Sequence, residues 1–300
     1  MGILALLAAL ALGVPAVAPQ LPLDPPGLSG SLLGAHLHSR FLAPASPVNA
    51  AELAAWARED GLQMVAVGVP LTGPGGPATG LASLATWLDA AQGLPTIPEF
   101  NTFTLPATRQ DAAGLRQVFA VIDSALQGRS GVVAAVGGNE PLSAARGWKS
   151  PAEAAARVAL EHQLWHALGS DVPFCHKFTN PRIDPAGTTW ADLDALWTDH
   201  QDAICYDWYA SNGDTLATLD HLRDLGDQLG KPVYILEAAV PLNQPSLRDA
   251  MASRVDALLL YPWLAPDRGE DARLAMWSLG TDGSRAPGPA AALRPVARPA

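Results

Sequence analysis

The run GVVAAVGGNEP, Gly131 to Pro141, sets five apolar residues and three glycines ahead of an asparagine, a glutamate and a proline. So continuous an apolar stretch suits a strand buried on both faces, and the proline after Glu140 ends the ladder and starts a loop. Seven further runs read the same way: SLLGAHLHS from Ser31, LQMVAVGVP from Leu62, LPTIPEFN from Leu94, DVPFCHKF from Asp171, DAICYDWYA from Asp202, KPVYILEAA from Lys231 and RVDALLLYPW from Arg254. Each is too uniformly apolar for a sheet with one wet face.

Between these runs, Ala and Leu recur at three-to-four spacing, predicting helices such as Asn49 to Glu59, Ala107 to Gln127, Pro151 to Leu168, Trp190 to His200, Thr215 to Leu229 and Gln244 to Ser253. A strand-helix unit repeated eight times within about 250 residues closes most naturally into a single-domain α/β (β/α)8 TIM barrel over residues 31–282. A doubly wound open sheet is the competing topology, but no GxGxxG or GxxxxGK[ST] follows the first strand.

At 49% hydrophobic and 16% charged, with mean hydropathy +0.12, the 300 residues have the material for a large core. The 29 acidic residues against 19 basic give a net charge of −10, which disfavours nucleic acid and anionic lipid as partners and leaves a small neutral or cationic ligand easier to place. Gly2 to Val17 is apolar but too short to span a bilayer, and Ala16-Val17-Ala18 has the small-x-small pattern of a signal-peptidase site. Residues 1–18 are therefore expected to be a signal peptide, with a secreted or periplasmic product that keeps no stable membrane insertion after processing. Residues 19–30 read as a Pro-rich linker and 283–300 as an irregular Pro- and Ala-rich tail. Nothing in the sequence sets an oligomeric state. Cys175 and Cys205 fall on neighbouring strands five and six, where parallel pairing seldom meets disulfide geometry, so both are expected as buried thiols.

In a barrel of this kind chemistry sits at the carboxyl ends of the strands. Two glutamates end strands there: Glu140 after the fourth and Glu237 after the seventh. A carboxylate placed after an apolar strand costs several kcal/mol unless it is paired or used. As a pair across the barrel mouth they suit glycoside hydrolysis, which needs one carboxylic acid for the leaving oxygen and one carboxylate for the anomeric carbon.

Asn139-Glu140-Pro141 closing strand four, with Glu237 closing strand seven, resembles the clan A retaining (β/α)8 glycoside hydrolases, a cellulase-like superfamily, across the body of the chain from Ser31 to about Gly280. The resemblance implies Glu140 as general acid/base, Glu237 as nucleophile, about 5 to 5.5 Å between their carboxyl groups, and Asn139 at the sugar 2-hydroxyl. It also implies that Tyr209, ending strand six, hydrogen-bonds the nucleophile, and that Trp263, past strand eight, stacks a sugar ring. Asp207 shares the parity of Tyr209 and therefore its face.

The chain departs from the clan at strand two, where VAVGVPLTGP, Val65 to Pro74, lacks the arginine that in many of its families holds the nucleophile. His36 with His38, and Glu99 with Asn101, end strands one and three and are expected to bind substrate hydroxyls. No metal or other cofactor is expected, since the His and Glu come from different strands without helical ligand spacing. His176 and Lys177 read as rim residues of strand five. A barrel that binds carbohydrate without cutting it is the alternative, and an aldolase-like or metal-dependent enzyme ranks third. The last would need a strand-six lysine or clustered His/Asp ligands.

Overall fold

Eight parallel strands close into a barrel in chain order in the computed structural model, with the last pairing back onto the first. The structure describes residues 31–43, 46, 48–72, 76–142, 150–183, 187–240, 245–266, 275, 277–279 and 284–287. The expected leader, the linker and most of the tail lie outside them. The strands are β1 Leu32–Leu37, β2 Met64–Gly68, β3 Thr96–Glu99, β4 Ala135–Asn139, β5 Phe174–Phe178, β6 Ile204–Tyr209, β7 Val233–Ala239 and β8 Ala257–Leu260. Seven α-helices lie among the described residues: α1 Ala50–Glu59, α2 Gly76–Ala91, α3 Ala112–Leu126, α4 Pro151–His166, α5 Trp190–His200, α6 Leu216–Leu229 and α7 Pro245–Ala252. This is the (β/α)8 architecture in one domain.

Local chemistry sets the helix starts. Asn49 and Glu52 form a reciprocal capping box on α1, and Thr189 and Asp192 do the same on α5. Ser150 caps α4 ahead of Pro151, whose missing N–H is no loss in a first turn. The third helix begins later than its periodicity predicts. Ala107–Arg109 is a 3-10 turn, and Asp111 caps α3 by accepting from the Gly114 N–H at 2.7 Å.

Apolar packing divides into two layers. Leu32, Met64, Ile97, Val136, Leu236 and Leu259 fill the barrel interior, while a larger cluster that includes Leu53, Trp87, Phe119, Trp165 and Trp197 seals the strands against the helices. Glycines admit the second layer at β4. A Cβ at Gly137 would overlap the Phe174 ring, and one at Gly138 would overlap Phe103. The same two glycines span an irregularity in register, because Val136 pairs with Cys175 and Asn139 with Lys177.

Cys175 and Cys205 form a disulfide inside the barrel, with Cα atoms 6.5 Å apart, which corrects the expectation of two free thiols. Lys177 is the residue level with Cys205, so Cys175 sits two positions earlier on β5. Barrel strands are tilted, and residues staggered along neighbours share an interior level and converge toward the axis. The flat-sheet argument against a bond between parallel strands does not carry over to that curvature. The tail also differs in part from its expected irregularity: Arg285–Pro287 pairs antiparallel with Trp277–Leu279, which runs parallel to Leu264–Pro266.

The disulfide predicts that thiol-labelling reagent in denaturant modifies neither cysteine without reductant and both after reduction. Opening this loop of 30 residues by Cys175→Ser should cost about 3 to 4 kcal/mol, read as a lowered Tm.

Candidate active site

At the carboxyl ends of the strands lies a cavity of about 230 Å³ lined by His36, His38, Glu99, Asn101, Asn139 and Glu237. A larger cavity of about 540 Å³ lies between α4 and α5 outside the barrel, lined by Ala152, Ala155, Ala156 and Ala159 with Asp192, Asp199 and His200 at its edges, away from the strand ends. The smaller one carries the chemistry.

Its floor is organised by Lys177, which β5 points into the barrel mouth and which is fully buried. The ammonium donates to Glu237 Oε1 and, at 3.1 Å, to Glu99 Oε2, and it lies 3.4 Å from Asp207 Oδ2. His36 Nε2 donates to Glu99 Oε2 at 3.1 Å and lies 3.7 Å from Glu237 Oε1. The Tyr209 hydroxyl donates to Glu237 Oε2. Burial alone would drive the carboxyls toward neutrality, but the Lys177 charge, followed by His36, outweighs it for both glutamates. Glu99 is held down at about 2 and Glu237 below the usual carboxylate range. Burial and the surrounding anions push the Tyr209 hydroxyl far up, so it stays a donor. Lys177 is raised well above its ordinary value because Asp207, Glu237 and Glu99 outweigh the cost of burying it.

Asp207 goes the other way. It is fully buried and neither carboxyl oxygen receives a hydrogen bond, so burial and the Glu237 charge raise it well above its usual 3.8 despite Lys177 nearby. Lys177 directs its hydrogen bonds to Glu99 and Glu237, so of the three carboxyls around it Asp207 is the one shifted upward. Expected to bind substrate, Asp207 instead lies beside the lysine, out of reach of the cavity.

Glu140 ends β4 with φ at +44°, a left-handed conformation that side-chain-bearing residues rarely adopt. Its N–H donates to the Lys177 carbonyl at 2.7 Å, so the lysine's backbone holds one glutamate while its side chain holds the other. Asn101 after β3 is also left-handed, at +39°. Such strain persists only where surrounding contacts enforce it, and it clusters at functional sites.

The two histidines of β1 take separate parts. His36 joins the buried ion cluster, whereas half-buried His38 caps the Ser39–Phe41 turn by accepting from the Arg40 N–H at 3.2 Å, and still lines the cavity. Trp263 does not form a sugar platform. Its backbone N–H bonds the His36 carbonyl, and the indole, fully buried, donates to Asp60 at the end of α1 at 2.8 Å. Trp277 donates to the same carboxylate at 2.6 Å, and Arg285 lies 3.3 Å from it. Tyr261 lies beside the site, 5.2 Å from the His36 ring, and was not singled out by the sequence pattern.

His176 is not a rim residue either. It points outward and meets fully buried Glu161 of α4 at 2.9 Å, where Arg157 at 2.6 Å and the Thr102 hydroxyl also converge. Burial is outweighed there by His176, then Arg157 and Thr102, so Glu161 lies below its usual range and pins the loop after β3 beside the cavity. His36, Glu99 and Glu237 offer three atoms within 4.8 Å of one another, the spacing of a metal site. Lys177 already supplies the cation between the two carboxylates, and a divalent ion would have to displace it.

No protein-family model matches the chain, and no curated protein matches it. Among solved structures it is similar to the GH5_18 protein from Streptomyces cattleya in complex with Manβ1-4GlcNAc, with TM-score 0.65 at 15% identity, covering 88% of this chain and 79% of that one. It is also similar to an endo-1,4-β-mannanase from Rhizomucor miehei, TM-score 0.60 at 12% identity, covering 85% and 91%. A third is the β-glycosidase from Thermosphaera aggregans, TM-score 0.62 at 10% identity, covering 89% and 95%.

Replacing Asp207 tests the charge assignment. A raised carboxyl contributes its stability below the unfolded value of 3.8 and loses it as pH rises toward its folded value. Asp207→Asn should therefore match the parent near pH 3 and become more stable relative to it as pH rises above 3.8. The gap in unfolding free energy should widen by up to about 1.4 kcal/mol per pH unit in denaturant titrations. A gap that shrinks with rising pH would show that Asp207 is ionised. At these identities the likeness to solved structures is one of fold: the chain has the (β/α)8 barrel found in mannanases and a β-glycosidase.

Proposed function

We propose that this protein is a retaining glycoside hydrolase that cleaves a β-linked oligo- or polysaccharide by double displacement. The observation that carries the reading is Glu237: a carboxylate at the end of β7, kept ionised by Lys177 and oriented by Tyr209, on the wall of a strand-end cavity. A nucleophile for an anomeric carbon needs that state, because a protonated oxygen does not attack. Glu140, on the neighbouring rim, protonates the leaving oxygen as Glu237 bonds to the anomeric carbon. It then removes a proton from the water that breaks the glycosyl-enzyme bond. Asn139 sits beside it for the 2-hydroxyl.

Lys177 supplies what the missing strand-two arginine would have supplied, and this favours catalysis over a barrel that only binds sugar. The fold is shared with an endo-1,4-β-mannanase and a β-glycosidase, which supports a β-linked substrate. A cavity of about 230 Å³ is below the usual size of a small-molecule site and suits one sugar ring, with the rest of the chain in an open groove. The buried disulfide supports export, since such bonds persist in oxidising compartments.

The two glutamates should respond differently to amide substitution. Glu237→Gln should lower kcat more than about a thousandfold on every substrate. Glu140→Gln should lose about 10²- to 10⁴-fold on oligosaccharides yet keep much of its first step on aryl glycosides whose leaving group needs no proton. Azide should then restore its turnover and yield a β-glycosyl azide, identified by NMR. Equal losses that azide does not rescue would remove both roles, and sugar binding without turnover in the parent protein would favour the non-catalytic reading.

A further inference from the structure

At the end of the barrel opposite the cavity, α4 carries His162-Gln163-Leu164-Trp165-His166, two histidines four residues apart and so on one face of the helix. Leu164 and Trp165 between them are buried, and the indole donates to the Val172 carbonyl at 2.8 Å, which fixes the helix end against the barrel. Asp202, just before β6, faces the pair. Its own backbone is tied to the start of β5, where Asp202 Oδ2 accepts from the Phe174 N–H at 2.7 Å and the Asp202 N–H donates to the Phe174 carbonyl at 3.1 Å. A side chain fastened in this way cannot move aside cheaply.

The distances within the group are those found between the ligands of a bound metal ion. His162 Nε2 and His166 Nε2 are 3.0 Å apart, His162 Nε2 is 3.4 Å from Asp202 Oδ1, and His166 Nε2 is 3.1 Å from Asp202 Oδ2. A tetrahedral ion with arms of about 2.0 to 2.1 Å has ligand atoms about 3.3 Å apart. The three observed distances, two of which run to different oxygens of the Asp202 carboxylate, lie within a few tenths of an ångström of that, and one ligand atom from each side chain lies within 4.8 Å of the others. Without an ion the arrangement is awkward, since each ring nitrogen can hold at most one hydrogen and two Nε2 atoms face each other beside one carboxylate. The side chains are 17%, 32% and 21% exposed, so an ion can enter from solvent.

We propose that His162, His166 and Asp202 form a binding site for a divalent transition metal of the zinc class, with water as a fourth ligand. Two imidazoles and one carboxylate suit zinc better than magnesium or calcium, which prefer all-oxygen shells. The site joins the end of α4 to the entry of β5 and β6, at the barrel face where fixed contacts serve stability rather than chemistry. The metal is therefore a structural clamp, and the proposal is independent of whether the opposite end hydrolyses sugars.

The full chain, stripped with chelator, is titrated with ZnCl2, CoCl2 or MgCl2 and followed by visible absorption and thermal unfolding. Cobalt should develop the visible bands of a four-coordinate site at one equivalent. Zinc at a hundredfold excess over its Kd should raise Tm by about 5 °C, and magnesium should not. His166→Ala, at a partly exposed helix position that folds without the ion, should lose both responses, and Asp202→Asn should weaken them. No cobalt spectrum and no zinc-dependent shift in the parent chain would overturn the proposal, as would responses of the same size in His166→Ala.

Discussion

A single ammonium group at the centre of three carboxyls governs the upper half of this barrel. Burying Lys177 costs several kcal/mol, and the cost is offset only because Glu99 and Glu237 each accept from it. The benefit is mutual, since two carboxylates this deep would otherwise take up protons. A third, Asp207, receives no hydrogen bond, and burial with the Glu237 charge shifts it upward instead. The same residue works through its backbone, whose carbonyl anchors the strained Glu140. One position on β5 thus sets the charge of one catalytic candidate and the conformation of the other.

The strands that present these groups are the irregular ones. Register shifts occur in β4 between Val136 and Asn139, between β6 and β7 at Tyr206 and Asp207, and between β7 and β8 at Ile235 and Ala238. An unpaired residue bends a strand and re-aims the side chains beyond it. Asn139, Asp207 and Glu237 all lie at or next to such shifts. The regular pairings of β1 with β2 and β8 carry the packed interior instead.

Charge is distributed between the barrel's two faces with different purposes. Around Lys177 the groups are buried and close to a cavity, where low dielectric makes their interactions strong and holds an unusual protonation pattern. Behind β4 and β5, Glu161 collects Arg157, His176 and Thr102 on the outer side of the strands. It ties a helix to the loop after β3. On the far side, Asp60 gathers Trp263, Trp277 and Arg285, which fastens the last segment of the chain to α1.

The amino-acid sequence by itself determined the eightfold alternation, because a strand buried on both faces must be apolar throughout and a helix on its outside must repeat every three to four residues. The same runs also put Glu140 and Glu237 near the carboxyl ends of strands, one just past β4 and the other two residues before the end of β7. What only the tertiary structure decided were the contacts between strands far apart in the chain. The cation opposite Glu237 comes from β5 rather than β2, and nothing local to Lys177 distinguishes an inward ammonium from one at the rim. Cys175 meets Cys205 because a tilted, curved sheet brings staggered neighbours together. Trp263 turns outward because its backbone joins the β1 carbonyl of His36, leaving Tyr261 beside the site. Spacing along a chain specifies which face a residue occupies on its own element, but the partner it meets there depends on the stagger and closure of all eight strands.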